Sequence, residues 1–192
     1  MSRFLIIGLG NIGSEYAKTR HNIGFDVVDA FVAKNASSFK NDRLADVTAF
    51  TLKGKEILVI KPTTYMNLSG RAVKYWLDQK KIPLERSLTI VDEIALPLSK
   101  LRLRPSGSSG GHNGLKSMEE WLETTDYPKL RFGIGNDFAK GRQVDFVLGK
   151  WSQEEMPLVN LKIKESVEVI ESFIFTGIER TMTEVNKKEF KL

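Results

Sequence analysis

The chain has 192 residues, 41% hydrophobic and 28% charged, proportions that suit one folded domain rather than a disordered or fibrous chain. It has no cysteine and only two histidines, which argues against a disulfide framework, a thiol nucleophile and zinc-ligand spacing, and no apolar run is long enough for a membrane helix. The net charge of +5 is modest: Lys100, Arg102 and Arg104 alternate, and Arg131, Lys140, Arg142 and Lys150 follow, a pattern that suits a polyanionic partner and equally a slightly basic solvated surface.

In chain order, Arg3–Gly8 reads as a buried strand ending in a glycine turn. Its apolar run is broken too early for a signal peptide, so the expected location is the cytoplasm. Ile23–Ala33 has a helical period, and Val47–Leu52 and Glu56–Ile60 are strands joined by a short hairpin loop at Lys53-Gly54-Lys55. Asn67–Gln79 reads as a helix, Ser87–Val91 as a strand ending at Asp92-Glu93, and Leu98–Arg104 as an alternating strand. A loop rich in glycine and serine, Pro105–Gly111, precedes a helix over Gly114–Glu123. Leu130–Ile134 and Asp145–Leu148 read as further strands. Apolar residues at Met156, Val159, Ile163, Val167, Ile170 and Ile174 make Gln153–Phe175 an amphipathic helix, and Gly177 separates it from a short terminal helix over Ile178–Phe190. The expected fold is α/β: a single-domain, three-layer arrangement over residues 1–192, with a mixed twisted sheet flanked by helices.

Two motif matches mislead. Gly8-Leu9-Gly10-Asn11-Ile12-Gly13 fits a dinucleotide-binding turn, but polar Ser14–Asn22 follows where a helix should open, and no acidic residue ends the next strands. Gly107-Ser108-Ser109-Gly110-Gly111 fits a nucleophile elbow, yet a basic strand and Pro105 precede it and no histidine follows His112. What remains is His21, the leading candidate for acid–base work near neutrality, with Asp92 and three asparagines, Asn11, Asn67 and Asn113, at strand-to-helix junctions. Each asparagine alone is explained by capping or turn formation; the three together suit a polar cleft.

These residues sit in a pattern that resembles bacterial peptidyl-tRNA hydrolase. The resemblance is carried by the glycine turn, Tyr16, Thr19-Arg20-His21-Asn22-Ile23-Gly24-Phe25, Lys61-Pro62-Thr63-Thr64-Tyr65-Met66-Asn67-Leu68-Ser69-Gly70 and Gly110-Gly111-His112-Asn113-Gly114-Leu115-Lys116-Ser117. Leu130–Gly135 and Phe146–Gly149 extend it over nearly the whole chain. It implies a monomer without cofactor or metal that hydrolyses the ester between a peptide and the 3′ end of tRNA, gripping the acceptor arm. It further implies His21 as the general base, Asp92 as its orienting carboxylate, and Asn11 as a third catalytic group. Tyr16, Met66, Asn67, His112 and Asn113 would contact substrate, and Arg104 and Arg131 the tRNA phosphates. Ile12, Ala95 and Asn136-Asp137 depart from the family pattern without removing any of these groups. The competing readings are a non-catalytic RNA-binding relative and a different hydrolase of nucleotide-linked acyl groups.

Overall fold

The computed structural model describes residues 1–192. Seven strands form one sheet: β1 (Arg3–Gly8), β2 (Lys40–Asp42), β3 (Ala45–Leu52), β4 (Lys55–Pro62), β5 (Ser87–Glu93), β6 (Leu101–Arg104) and β7 (Lys129–Gly133). Their spatial order is β2-β3-β4-β1-β5-β7-β6. The central pairs β4-β1, β1-β5 and β5-β7 are parallel, and the outer pairs are antiparallel. Helices α1 (Ile23–Lys34), α2 (Ser69–Lys80), α3 (Asn113–Leu122), α4 (Gln143–Val147), α5 (Met156–Thr176) and α6 (Ile178–Asn186) complete the fold.

Parallel central strands are covered on both faces, which explains why β1 reads as an unbroken apolar run. Phe4 and Ile6 face a core packed under α1 and α5, with Val27, Phe31, Ile170 and Phe173. Leu5 and Ile7 face the opposite core under α2 and α3, with Val73, Trp76, Leu115 and Met118. The chain leaves β1 towards β4 by way of α1, and leaves β4 towards β5 by way of α2, so it reverses direction across the sheet at β1. Such a switch point opens a crevice at the carboxyl ends of the strands. The first glycine turn serves this geometry: a Cβ on Gly8 would lie 2.3 Å from the Gly24 carbonyl oxygen, so only glycine lets α1 lie this close to β1. The helix begins at Ile23, well past the turn, consistent with rejecting the dinucleotide reading.

Several expectations are corrected. Asp145–Leu148 is no strand: residues 143–147 form α4, which puts Val144 and Val147 on one side of a single turn. The alternating strand begins at Leu101, and Lys100 lies outside it with its ammonium donating to the Lys188 carbonyl (3.0 Å). Short exposed β2 carries no apolar signal and was not expected. The terminal helix ends at Asn186, whose amide accepts from the Leu103 N–H (2.7 Å) and donates to the Leu103 carbonyl (2.9 Å), covering the free edge of β6.

Helix α5 is amphipathic as expected, but its buried stripe is rotated. Ile163 is only half-buried, whereas Lys162 is fully buried, donating to the Gly133 carbonyl at 2.7 Å with its Nζ 4.0 Å from the Phe132 ring centroid. Burial pushes the Lys162 pKa down to about 7 from an ordinary 10.5. Between these values the unfolded chain holds a proton that the native state lacks, so this lysine makes stability rise with pH over that window. Lys162→Met is expected to flatten the rise in thermal midpoint between pH 7 and 10. Buried Lys129, pushed down to about 8, supplies the residual slope. An unchanged slope would contradict the assignment.

Candidate active site

Three separate elements converge at the carboxyl end of the sheet. Asp92 is the penultimate residue of β5 and is 4% exposed. His21 sits in the 3₁₀ turn Arg20–Asn22 that leads into α1, and His112 is the N-cap of α3. His21 Nδ1 lies 3.0 and 2.9 Å from the two Asp92 carboxylate oxygens, and His112 Nε2 lies 2.8 Å from Oδ1 of the same carboxylate. The ring centroids are 5.0 Å apart.

The tautomers follow from these partners. His112 Nδ1 accepts the backbone N–H groups of Gly114 (3.1 Å) and Leu115 (3.4 Å), donors that a helix N-terminus leaves unsatisfied. Nδ1 therefore carries no proton, and Nε2 donates to Asp92. His21 donates from Nδ1 to the same carboxylate, which leaves its Nε2 lone pair free to take a proton. Burial lowers the His21 pKa, but the Asp92 charge and hydrogen bond outweigh it, and the net result is a value above the ordinary 6.5. Burial would raise the Asp92 pKa, yet the two imidazoles hold it well below the usual carboxylate range. Ligand atoms of His21, Asp92 and His112 all lie within 4.8 Å of one another, a spacing open to a cation. The helix N–H groups oppose that use, because a metal on His112 Nε2 would force a proton onto the Nδ1 that accepts them.

A cavity of about 100 Å³ adjoins this cluster, lined by His21, Asp92, Glu93, His112 and Asn113 and walled by Val144 and Val147 of α4. Asn113 is exposed at its rim. Asn11 borders a neighbouring hollow of about 280 Å³ together with Ile12, Asn22, Phe25 and Lys61. Asn11 is clamped: its backbone N–H donates to Asn22 Oδ1 (2.9 Å), Asn22 Nδ2 donates back to its carbonyl (2.9 Å), and its own Oδ1 accepts the Met66 N–H (2.8 Å). These bonds leave the Asn11 amide NH₂ for other partners and tie the glycine turn to the segment carrying exposed Asn67.

The other expected residues are distributed unevenly. Met66 is buried in the core beneath Gly114, where a Cβ would come within 2.6 Å of its sulfur. Tyr16 is half-buried, and its carbonyl accepts from Thr19 in the turn before His21. His112, expected as a substrate contact, has both ring nitrogens engaged within the protein. Arg104 is exposed, its Nη1 reaching only its neighbour Leu103's carbonyl. Arg131 donates from Nη1 to Glu93 (2.9 Å) and from Nη2 to the Ser108 carbonyl (2.7 Å), tying the Pro105–Gly111 loop to β5. Asn22, the tautomer role of His112 and the α4 wall were missed; only Asn22, adjacent to His21, carried any sequence signal.

The peptidyl-tRNA hydrolase family model matches residues 5–192. The chain belongs to the peptidyl-tRNA hydrolase family. A peptidyl-tRNA hydrolase of Phocaeicola vulgatus is 48% identical over 186 residues, covering 97% of this chain and 100% of the relative. One from Bacteroides fragilis is 49% identical with the same coverage. The crystal structure of peptidyl-tRNA hydrolase from Acinetobacter baumannii superposes with a TM-score of 0.91 at 32% identity, covering 97% of this chain and 95% of that one. For this member of the family, removing the Asp92 charge leaves burial as the dominant influence on His21. Proton NMR titration of the His21 ring should place its midpoint above 6.5 in the unaltered protein and below 6.5 in Asp92→Asn. Equal midpoints would contradict the electrostatic assignment.

Proposed function

We propose that this chain hydrolyses the ester joining peptide to tRNA in peptidyl-tRNA, with His21 as general base and Asp92 as the group that holds its tautomer. The observation that carries the residue assignment is the hydrogen bonding of His21 Nδ1 to a buried carboxylate, which presents Nε2 as the basic nitrogen. In this scheme His21 Nε2 removes a proton from water as the water oxygen attacks the ester carbonyl carbon. The carbonyl oxygen becomes an oxyanion. When the intermediate collapses, the bond to the ribose oxygen breaks, and the imidazolium gives its proton to that oxygen. Asp92 stays ionised throughout and stabilises the transient positive charge. An ester to a ribose hydroxyl is activated enough for this, and no covalent nucleophile, metal or cofactor is needed.

Asn113, exposed at the rim of the His21 cavity, suits the developing oxyanion as a neutral donor. The clamped amide of Asn11 and exposed Asn67 suit the peptide group and the terminal adenosine. Tyr16 contributes to the cleft from the turn before His21, while Met66 supports its floor. Neutral amides bind a peptide bond without an anionic partner for the free ammonium of an aminoacyl-tRNA. Arg104, with Arg102 exposed beside it on β6, and Arg131 suit the acceptor-arm phosphates, and Arg131 also holds the Pro105–Gly111 loop. The whole of residues 1–192 would act as one domain, as a cytoplasmic monomer; no helix is long and apolar enough to cross a membrane.

The test is release of N-acetyl-amino acid from N-acetyl-aminoacyl-tRNA, with unblocked aminoacyl-tRNA as control. His21→Ala is expected to lower kcat by about two to four powers of ten, the usual worth of a general base. Turnover unchanged in that variant would remove His21 from the mechanism. Tight tRNA binding without hydrolysis by the unaltered protein would favour an RNA-binding relative, and equal cleavage of both substrates a less selective esterase.

A further inference from the structure

The stretch from Arg142 to Glu155 borders the His21 cavity, with Gln143, Val144 and Val147 in its wall. One side chain fastens it at two points, Phe146 and Glu155. Arg20 donates from Nη1 to the Phe146 carbonyl (3.2 Å) and from Nη2 to Glu155 Oε1 (3.0 Å). Its guanidinium carbon lies 4.3 Å from the Phe146 ring centroid and 5.3 Å from that of Trp151. The backbone adds two further ties: the Arg20 N–H donates to the Gly149 carbonyl (2.9 Å), and Thr19 forms an isolated antiparallel bridge with Lys150. The approach is close at Gly149, where a Cβ would come within 2.9 Å of Arg20 Nη1.

Glu155 is itself held rigidly. It accepts the Ser152 N–H (2.8 Å) and returns its own N–H to Ser152 Oγ (3.2 Å), a reciprocal cap just before α5. The Arg20 and Glu155 side chains are only 13% and 23% exposed, so this pair is better shielded from water than an ordinary surface ion pair. A lysine could supply the charge, but neither the planar fork that spans Phe146 and Glu155 nor the stack on two rings.

Arg20 and His21 are consecutive residues of one 3₁₀ turn. We propose that Arg20 is a positioning residue: it fastens the 142–155 stretch beside the cavity and, through the shared turn, fixes the His21 ring relative to the ester. The proposal rests on the reading of His21 as the base. Its neutralised, shielded guanidinium is poorly placed for a tRNA phosphate, which separates this role from a binding one.

Steady-state hydrolysis of N-acetyl-aminoacyl-tRNA by the full chain tests it, comparing Arg20→Ala, Arg20→Lys, Glu155→Gln and the double variant Arg20→Ala/Glu155→Gln. Both Arg20 variants are expected to lose about ten- to a hundredfold in kcat, the scale of a misplaced catalytic group, with KM nearly unchanged. The double variant should be no worse than Arg20→Ala, since the two groups act through one contact. The acid limb of the pH–rate profile should move to higher pH in Arg20→Ala. Entry of water beside the ring relieves the burial that lowers the His21 pKa and so favours protonated His21, while Asp92, His112 and Glu93 around the ring are unaltered. If Arg20→Ala fails to fold, Arg20→Lys and Glu155→Gln decide by the same criteria. A raised KM with unchanged kcat would overturn the proposal in favour of a substrate contact. Wild-type kcat and pH profile in folded variants would overturn it outright, leaving the parent reading intact. An inactive unaltered protein would overturn both.

Discussion

A carboxylate buried at the end of a central strand has to be compensated, and much of the architecture around Asp92 does this. Its charge is met by two imidazole N–H groups arriving from different parts of the chain, at 2.8 to 3.0 Å. Leaving such a group unpaired in the interior would cost several kcal/mol, so the turn carrying His21 and the start of α3 are held where Asp92 requires them. The compensation is asymmetric. His112 is held in one tautomer by the helix N–H groups behind it, whereas His21 has a free nitrogen facing outward from its bond to Asp92. One carboxylate thus organises a fixed imidazole and a proton-accepting imidazole.

The sheet topology explains why this happens at this place. Reversal at β1 sends α1 and α2 to opposite faces and leaves the ends of β1, β4 and β5 uncovered by a connecting helix. The glycines at Gly8 and Gly24 then bring α1 close enough for the preceding turn to reach Asp92. Ionised groups nearby are mostly paired: Arg131 with Glu93 and Arg20 with Glu155. These pairs fasten loops. Around the His21–Asp92 couple the cavity then offers the neutral amides of Asn113 and Gln143 beside apolar Ile94, Val144 and Val147.

Much of this was legible in the chain because the signals were local and strong. Continuous apolar runs gave the central strands, and the failed context of the glycine motif excluded a dinucleotide site. His21 and Asp92 stood out as groups suited to proton transfer, although their roles came from the family resemblance. The misreadings share a cause, since each depends on tertiary contacts that leave no local pattern. Asp145–Leu148 has strand-like residues, but Phe146 packs on Phe138 and under the Arg20 guanidinium, and the segment turns into a helix. The Arg131–Glu93 pair likewise leaves no local pattern, because Glu93 lies 38 residues away, on the adjacent strand. Lys162 was invisible as a core residue because a charged side chain on an amphipathic helix normally marks the solvated face. The part played by His112 was also hidden, since it rests on which nitrogen a helix N-terminus occupies.

With only two histidines in the chain, ¹⁵N NMR of histidine-labelled protein reads this arrangement without ambiguity. Above the His21 pKa, the account predicts opposite neutral tautomers, His21 protonated at Nδ1 and His112 at Nε2, with Asp92 ionised between them. Finding His21 in the Nε2–H form would contradict it, because the nitrogen assigned to water would then already hold a proton.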